Sequence, residues 1–132
     1  MTKKCIISAV VMFVMAWALS FVIHEILLAA DYAAASGMRP PAEVMARVHL
    51  LVLAHASFGA AFAWIYFQGK EDKPWLMQGI RFGIAIACLT TVPTFLIYHV
   101  VTPVELSVAI KQIVLDTIRV LLMGVVLAWI NR

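Results

Sequence analysis

Eight polar side chains in this sequence have types and spacings that could do chemistry: His24, Glu25, His49, His55, Tyr98, His99, Asp116 and Arg119. Imidazole suits zinc, copper, iron and nickel, and it can hold haem iron from facing helices. His24 and His49 are the candidate metal ligands, with Glu25 beside the first. His49 and His55 are six apart, hence about 120° apart on a helix, and do not chelate one ion together. His24-Glu25 lacks a second histidine four residues on, so it is not a zinc-protease motif. Asp116 and Arg119, three apart, can pair on one helix face.

Two kinds of chemistry follow. One is a site for a transition metal, haem or quinone built from His24, Glu25, His49, Tyr98 and their neighbours, against which stands the plainer reading of interfacial histidines bonded to loops or headgroups. The other is a proton or ion path through His55, Asp116, Arg119 and Thr91, against which stands a structural polar clasp locking the fourth apolar stretch to the second. The clasp is the stronger expectation, with His55 and Asp116 as hydrogen-bond partners. No nucleophile elbow, phosphate loop, dinucleotide fingerprint or CxxC is present, so the sequence leans away from an enzyme.

The elements that must position these groups are set by composition. Of 132 residues 64% are apolar and 13% charged, against roughly half and a quarter in a soluble domain, and mean hydropathy is +1.00. Ten Lys and Arg give a net charge of only +3 and form no basic run, which excludes nucleic-acid binding. Two cysteines make no disulfide framework, and Cys5 and Cys88 fall at different depths. The expected fold is all-α: one domain, residues 1–132, forming a four-transmembrane-helix bundle.

A helix needs roughly 20 apolar residues to cross the ~30 Å hydrocarbon layer. Four stretches qualify, at about 5–30, 44–67, 76–101 and 106–130. Gly37, Pro40 and Pro41, the polar run Gly69–Pro74, and Pro103 separate them. Pro93 predicts a kink in the third. The first apolar stretch, about eighteen residues before His24, exceeds a signal-peptide core of 7–15 residues, so the first helix is expected to be retained.

Lys3, Lys4, Lys70, Lys73, Arg81 and Arg132 fall at one set of helix ends, and Arg39 and Arg47 at the other. Retention of basic residues on the cytoplasmic side predicts both termini inside. All four histidines then lie in the outer halves of their helices. Counting ~1.5 Å per residue puts His24, Glu25, His49, Lys111 and Gln112 roughly 7–9 Å below the outer boundary, and His55, Thr91 and Asp116 about 15 Å below it. His99 and Tyr98 lie near the surface. Ser20, His24 and Leu28 share one helical line, Gln112, Asp116 and Arg119 another, and Thr91, Thr94 and Tyr98 a third. Trp75, Trp129, Tyr66 and Tyr32 are expected as interface anchors. Gly59 and Ala63, and Gly79, Gly83 and Ala87, are small-residue stripes expected to mark close helix contacts.

The first helix ending in FVIHEILLAADY, the Gly-spaced GIRFGIAIA and the final VLLMGVVLAWI together resemble the small four-helix bacterial inner-membrane proteins of unknown function. The resemblance implies four helices in a prokaryotic inner membrane and carries no activity with it. The expectation is therefore a non-catalytic accessory, assembly or scaffold protein whose partners are the lipid bilayer and another membrane protein or a second copy of itself. The alternative is a ligand-binding protein with an outer-leaflet site built from His24, Glu25, His49, His55, Asp116 and Arg119.

Overall fold

The structure, a computed structural model, describes residues 2–132. Helix α1 (Lys3–Phe21) runs directly into a π-helical segment, Val22–Leu27, and short helices α2 (Ala29–Ala34) and α3 (Pro41–Met45) lead to α4 (Val48–Gly69). Helix α5 (Trp75–Ile86), a second π segment (Ala87–Thr91) and α6 (Val92–Val101) form one continuous rod, and α7 (Leu106–Ile130) closes the chain. Four helical spans, Lys3–Leu27, Val48–Gly69, Trp75–Val101 and Leu106–Ile130, are long and apolar enough to cross a membrane. At ~1.5 Å per residue they measure roughly 33–40 Å, enough for the hydrocarbon layer with some tilt. They match the four expected stretches to within a few residues and support a multi-pass membrane protein.

Local chemistry sets the ends. Thr2 Oγ1 accepts the Cys5 amide at 3.3 Å and caps α1. Gly37, at φ +82°, makes the left-handed turn beyond α2, and Pro41 sits in the first turn of α3. The α4–α5 turn is folded onto α5 by Gln78, whose amide donates to the carbonyls of Glu71 and Lys73 while its oxygen accepts the Glu71 amide.

The third span differs from the simple Pro93 kink expected. The irregularity is the π segment just before Pro93, closed by Val92 N–H donating to Ala87 O. Thr90 Oγ1 donates to the Ile86 carbonyl at 2.8 Å within the same stretch. The widened turn absorbs the break that proline imposes on the α-helical ladder.

Helix α1 packs chiefly on α4, and α5 on α7, with α1–α7 contacts joining the two pairs. Glycine makes both pairings close. A Cβ on Gly59 would lie 2.5 Å from the Phe13 amide nitrogen, and one on Gly83 would lie 2.9 Å from Leu121 Cα. The small-residue stripes are thus packing surfaces, as expected. Between the pairs sits one core, centred on Met12, Phe62, Tyr66, Val120, Met123 and Leu127. Phe82 joins α5 to α4 through edge contacts with Phe62 (4.8 Å) and Tyr66 (5.4 Å). The outer faces are apolar as well. Ile110, Val114, Ile118 and Leu122, four apart along α7, are all exposed, as suits a surface solvated by lipid.

Asn131 fixes which ends lie together. Its Nδ2 donates to Ser8 Oγ and to the Leu127 carbonyl, each at 2.9 Å, and its carbonyl accepts from Lys70 Nζ. Both termini and the α4–α5 turn therefore share one end of the bundle. The 28–47 connection and the 102–105 turn lie at the opposite, distal end.

Candidate functional site

The distal half of the bundle holds a polar cluster centred on Asp116, which is 1% exposed. Helix α7 supplies Gln112, Asp116 and Arg119 at i, i+4 and i+7, one inward face. Asp116 Oδ1 lies 2.8 Å from Arg119 Nε, and Oδ2 lies 3.2 Å from His24 Nε2. The expected Asp116–Arg119 pair is present. Both contacts are close, yet neither is aligned as a hydrogen bond, so both carboxylate oxygens and Arg119 Nε lack a hydrogen-bond partner. Charge proximity holds Asp116 and Arg119 together more than directed bonding does. Arg119 also lies over the Phe58 ring at 5.7 Å, tying α7 to α4.

His24 reaches Asp116 from the first π segment. Its Nδ1 is 2.6 Å from the Tyr32 hydroxyl, and Tyr32 in turn accepts from Gln112 Nε2 at 3.0 Å. The His24 ring stacks on Tyr32 at 6.0 Å and meets Phe95 of α6 at 6.4 Å. Next to it, Lys111 Nζ bonds Asp31 Oδ1 at 2.6 Å. Burial pushes the Tyr32 phenol up to about 12, reinforced by the charges of Asp116 and Glu25 and opposed by the Gln112 hydrogen bond. Tyr32 is therefore a neutral hydroxyl over the whole physiological range.

The structure corrects several expectations. His55 is not the partner of Asp116: its Nδ1 bonds the Leu51 carbonyl one turn back at 2.7 Å, and its ring packs edge-on against Trp17. The clasp accordingly joins α7 mainly to the first span and its α2 extension, and reaches α4 through Arg119 and Phe58. Glu25 and His49 are exposed, and no hydrogen bond or ring contact joins His24 to His49 among the described residues. Tyr98 is 44% exposed and Thr94 is exposed, so of the third-span line only Thr91 faces inward. His99 bonds the Val104 carbonyl at 2.6 Å and closes the 102–105 turn. Among the described residues no three His, Cys, Asp or Glu are grouped to hold a metal ion.

Tyr32, expected as an interface anchor, is instead the hub between His24 and Gln112. A signal for it was present, since Ser20, His24, Leu28 and Tyr32 are spaced by four. In an α-helix, eight residues from His24 to Tyr32 drift about 80° around the axis. The intervening π turn is wider and holds the two on a common face. At the termini end, the buried Ser8–Asn131 bond is a second contact for which the apolar pattern gives no signal.

Two surface hollows of about 300 Å³ lie at the termini end, lined by Tyr66, Lys73, Gln78 and their neighbours, well away from the Asp116 cluster. Among protein families, curated proteins and solved structures, no match to this chain is found.

Proposed function

We propose that this chain is a non-catalytic accessory, assembly or scaffold component of a bacterial inner membrane, working by helix packing with both termini in the cytoplasm. The observation that carries the reading is how the polar groups are used. His24, Tyr32, Asp31, Lys111, Gln112, Asp116 and Arg119 are engaged with one another across the first span and α7, as a clasp within the bundle. The surface left for recognition is apolar and faces lipid, so the partner is another membrane protein or a second copy. The excess of Lys and Arg at the termini end supports the inward orientation.

A photo-crosslinking residue at Val114 or Ile118, activated in intact membranes, tests this. The expected result is one discrete adduct with a membrane protein or with the chain itself. Adducts with lipid alone overturn the reading.

A second reading is favoured by the buried, unaligned oxygens of Gln112 and Asp116: a ligand site in the distal leaflet for a transition metal, haem or quinone. His24 would have to exchange Tyr32 or Asp116 for the ligand. A visible absorption band or a stoichiometric metal in the purified protein would establish this reading in place of the first.

A further inference from the structure

At the termini end, a hollow of about 300 Å³ lies between α4 and α5, beneath the turn that joins them. Ile65 and Tyr66 of α4 and Met77 and Phe82 of α5 give it apolar walls, and Tyr66 meets Phe82 edge-on behind them. Ile65 and Met77 are exposed, so the hollow opens sideways, toward lipid. Its rim carries Glu71, Lys73 and Arg81, and Gln78 pins that rim by bonds to the Glu71 backbone.

Arg81 stands out among the cations here. It lies inside the third span, six residues beyond Trp75, hence roughly 9 Å along the helix. That span has 27 residues and measures roughly 40 Å against a ~30 Å hydrocarbon layer. The surplus length sets Arg81 near the boundary of acyl chains and headgroups, within side-chain reach of the lipid phosphates. A guanidinium at that depth is costly unless it is paired. The neighbouring cations are engaged: Lys73 with Glu71, Lys70 with the Asn131 carbonyl, and Arg132 over the Trp129 ring at 5.7 Å. Arg81 is exposed and makes no hydrogen bond or ion pair among the described residues. Glu71 is held below the ordinary carboxylate range chiefly by Lys73, with Arg81 acting only at longer range.

We propose that this hollow binds one anionic glycerophospholipid, with its phosphate on the Arg81 guanidinium and an acyl chain along Ile65, Met77 and Phe82. The planar fork of a guanidinium matches two phosphate oxygens at once, which a lone ammonium does not. Charge selects the anionic class. Lys70, Lys73, Arg81 and Arg132 line this hollow and its neighbour against Glu71 and Asp72, an excess that favours an anionic headgroup over one carrying its own ammonium. The apolar walls select a lipid over free phosphate, which gains the guanidinium alone. The lipid lies in the seam between the α1–α4 and α5–α7 pairs, which Phe82 bridges through its contacts with Phe62 and Tyr66.

Lipid binding here requires no protein partner and holds for either orientation of the bundle, so its test stands apart from the crosslinking experiment. The full chain in a neutral detergent is titrated with phosphatidylglycerol, or with phosphatidylcholine of the same acyl chains, and bound lipid is counted by native mass spectrometry. The expected result is one phosphatidylglycerol per chain, bound more tightly than phosphatidylcholine. Arg81→Gln, at an exposed position without a protein partner, should keep helical content and weaken phosphatidylglycerol binding about fivefold to tenfold. Ile65→Trp fills the hollow with every charge in place and should weaken binding as well, whereas Arg39→Gln at the distal end should not. Equal affinity for the two lipids, unchanged binding in Arg81→Gln or Ile65→Trp, or a loss in Arg39→Gln as large as in Arg81→Gln would each overturn the proposal. So would displacement of the lipid by inorganic phosphate at constant ionic strength.

Discussion

Gly79 of α5 and Gly124 of α7 face each other so closely that a Cβ on Gly124 would lie 2.5 Å from the Gly79 carbonyl oxygen. The obstacle is backbone, which cannot rotate aside as a side chain can. Replacing a helical glycine by alanine gains about 1 kcal/mol of intrinsic propensity, whereas overpacking a tight contact costs about 1–3 kcal/mol. The clash should win. Gly124→Ala is expected to destabilise the bundle, and Gly69→Ala, where a Cβ meets nothing within 4 Å, to be close to neutral. Reversible unfolding in mixed micelles measures both.

The Asp116–Arg119 pair makes a second prediction. Asp116 is buried and Arg119 partly so, and removing one member leaves the other charged and uncompensated. Such a single loss costs about 3–5 kcal/mol, and replacing a whole buried pair by apolar residues costs much less. Asp116→Leu and Arg119→Leu should each be strongly destabilising, and the double variant milder than either. A double-mutant cycle on the same unfolding reaction reads the coupling directly. Equal and additive losses would mean that the two side chains act independently.

These contacts also show what a sequence of this kind reveals. Lipid requires each crossing to be a long apolar helix, so the four spans could be read from run length alone. The i, i+3 spacing of Asp116 and Arg119 and the four-residue spacing of Gly79 and Gly83 survive into the structure because α7 and α5 are regular there. Depth alone pairs His55 with Asp116, but depth along a helix says nothing of the direction in which a side chain points, and His55 turns back to Leu51. Tyr32 was hidden by the π segment, since a change of hydrogen-bond partner from i+4 to i+5 leaves no mark in the apolar pattern. Asn131 lies just beyond the last apolar run, where a lone amide next to the C-terminus carries no periodicity at all.

That asparagine gives a third prediction. Asn131 Nδ2 serves both Ser8 Oγ and Leu127 O, so the two truncations are not equivalent. Asn131→Ala leaves the buried Ser8 hydroxyl without this donor and should cost about 1–3 kcal/mol. Ser8→Ala leaves Asn131 bonded to Leu127 and should cost about 0.5–1.5 kcal/mol. Both should loosen the termini end selectively. Amide hydrogen exchange is expected to accelerate in the first turns of α1 and the last turns of α7, and to stay unchanged around Asp116.

The last prediction concerns alkaline pH, and its sign follows from Tyr32. Its phenol is raised from 10.0 to about 12 in the folded bundle, chiefly by burial. Between those two values an unfolded chain has already lost the proton that the native state still holds. The native state then binds more protons, so stability falls as pH rises through this window and levels off above it. Below pH 10 the residue contributes no pH dependence. Thermal unfolding of the wild type should show a decline between about pH 10 and 12 that is reduced in Tyr32→Phe, and the tyrosinate absorbance assigned to Tyr32 by difference should emerge only near the upper limit. A Tyr32 phenolate already formed at pH 10 would place its hydroxyl in water, outside the buried chain that links His24 to Gln112.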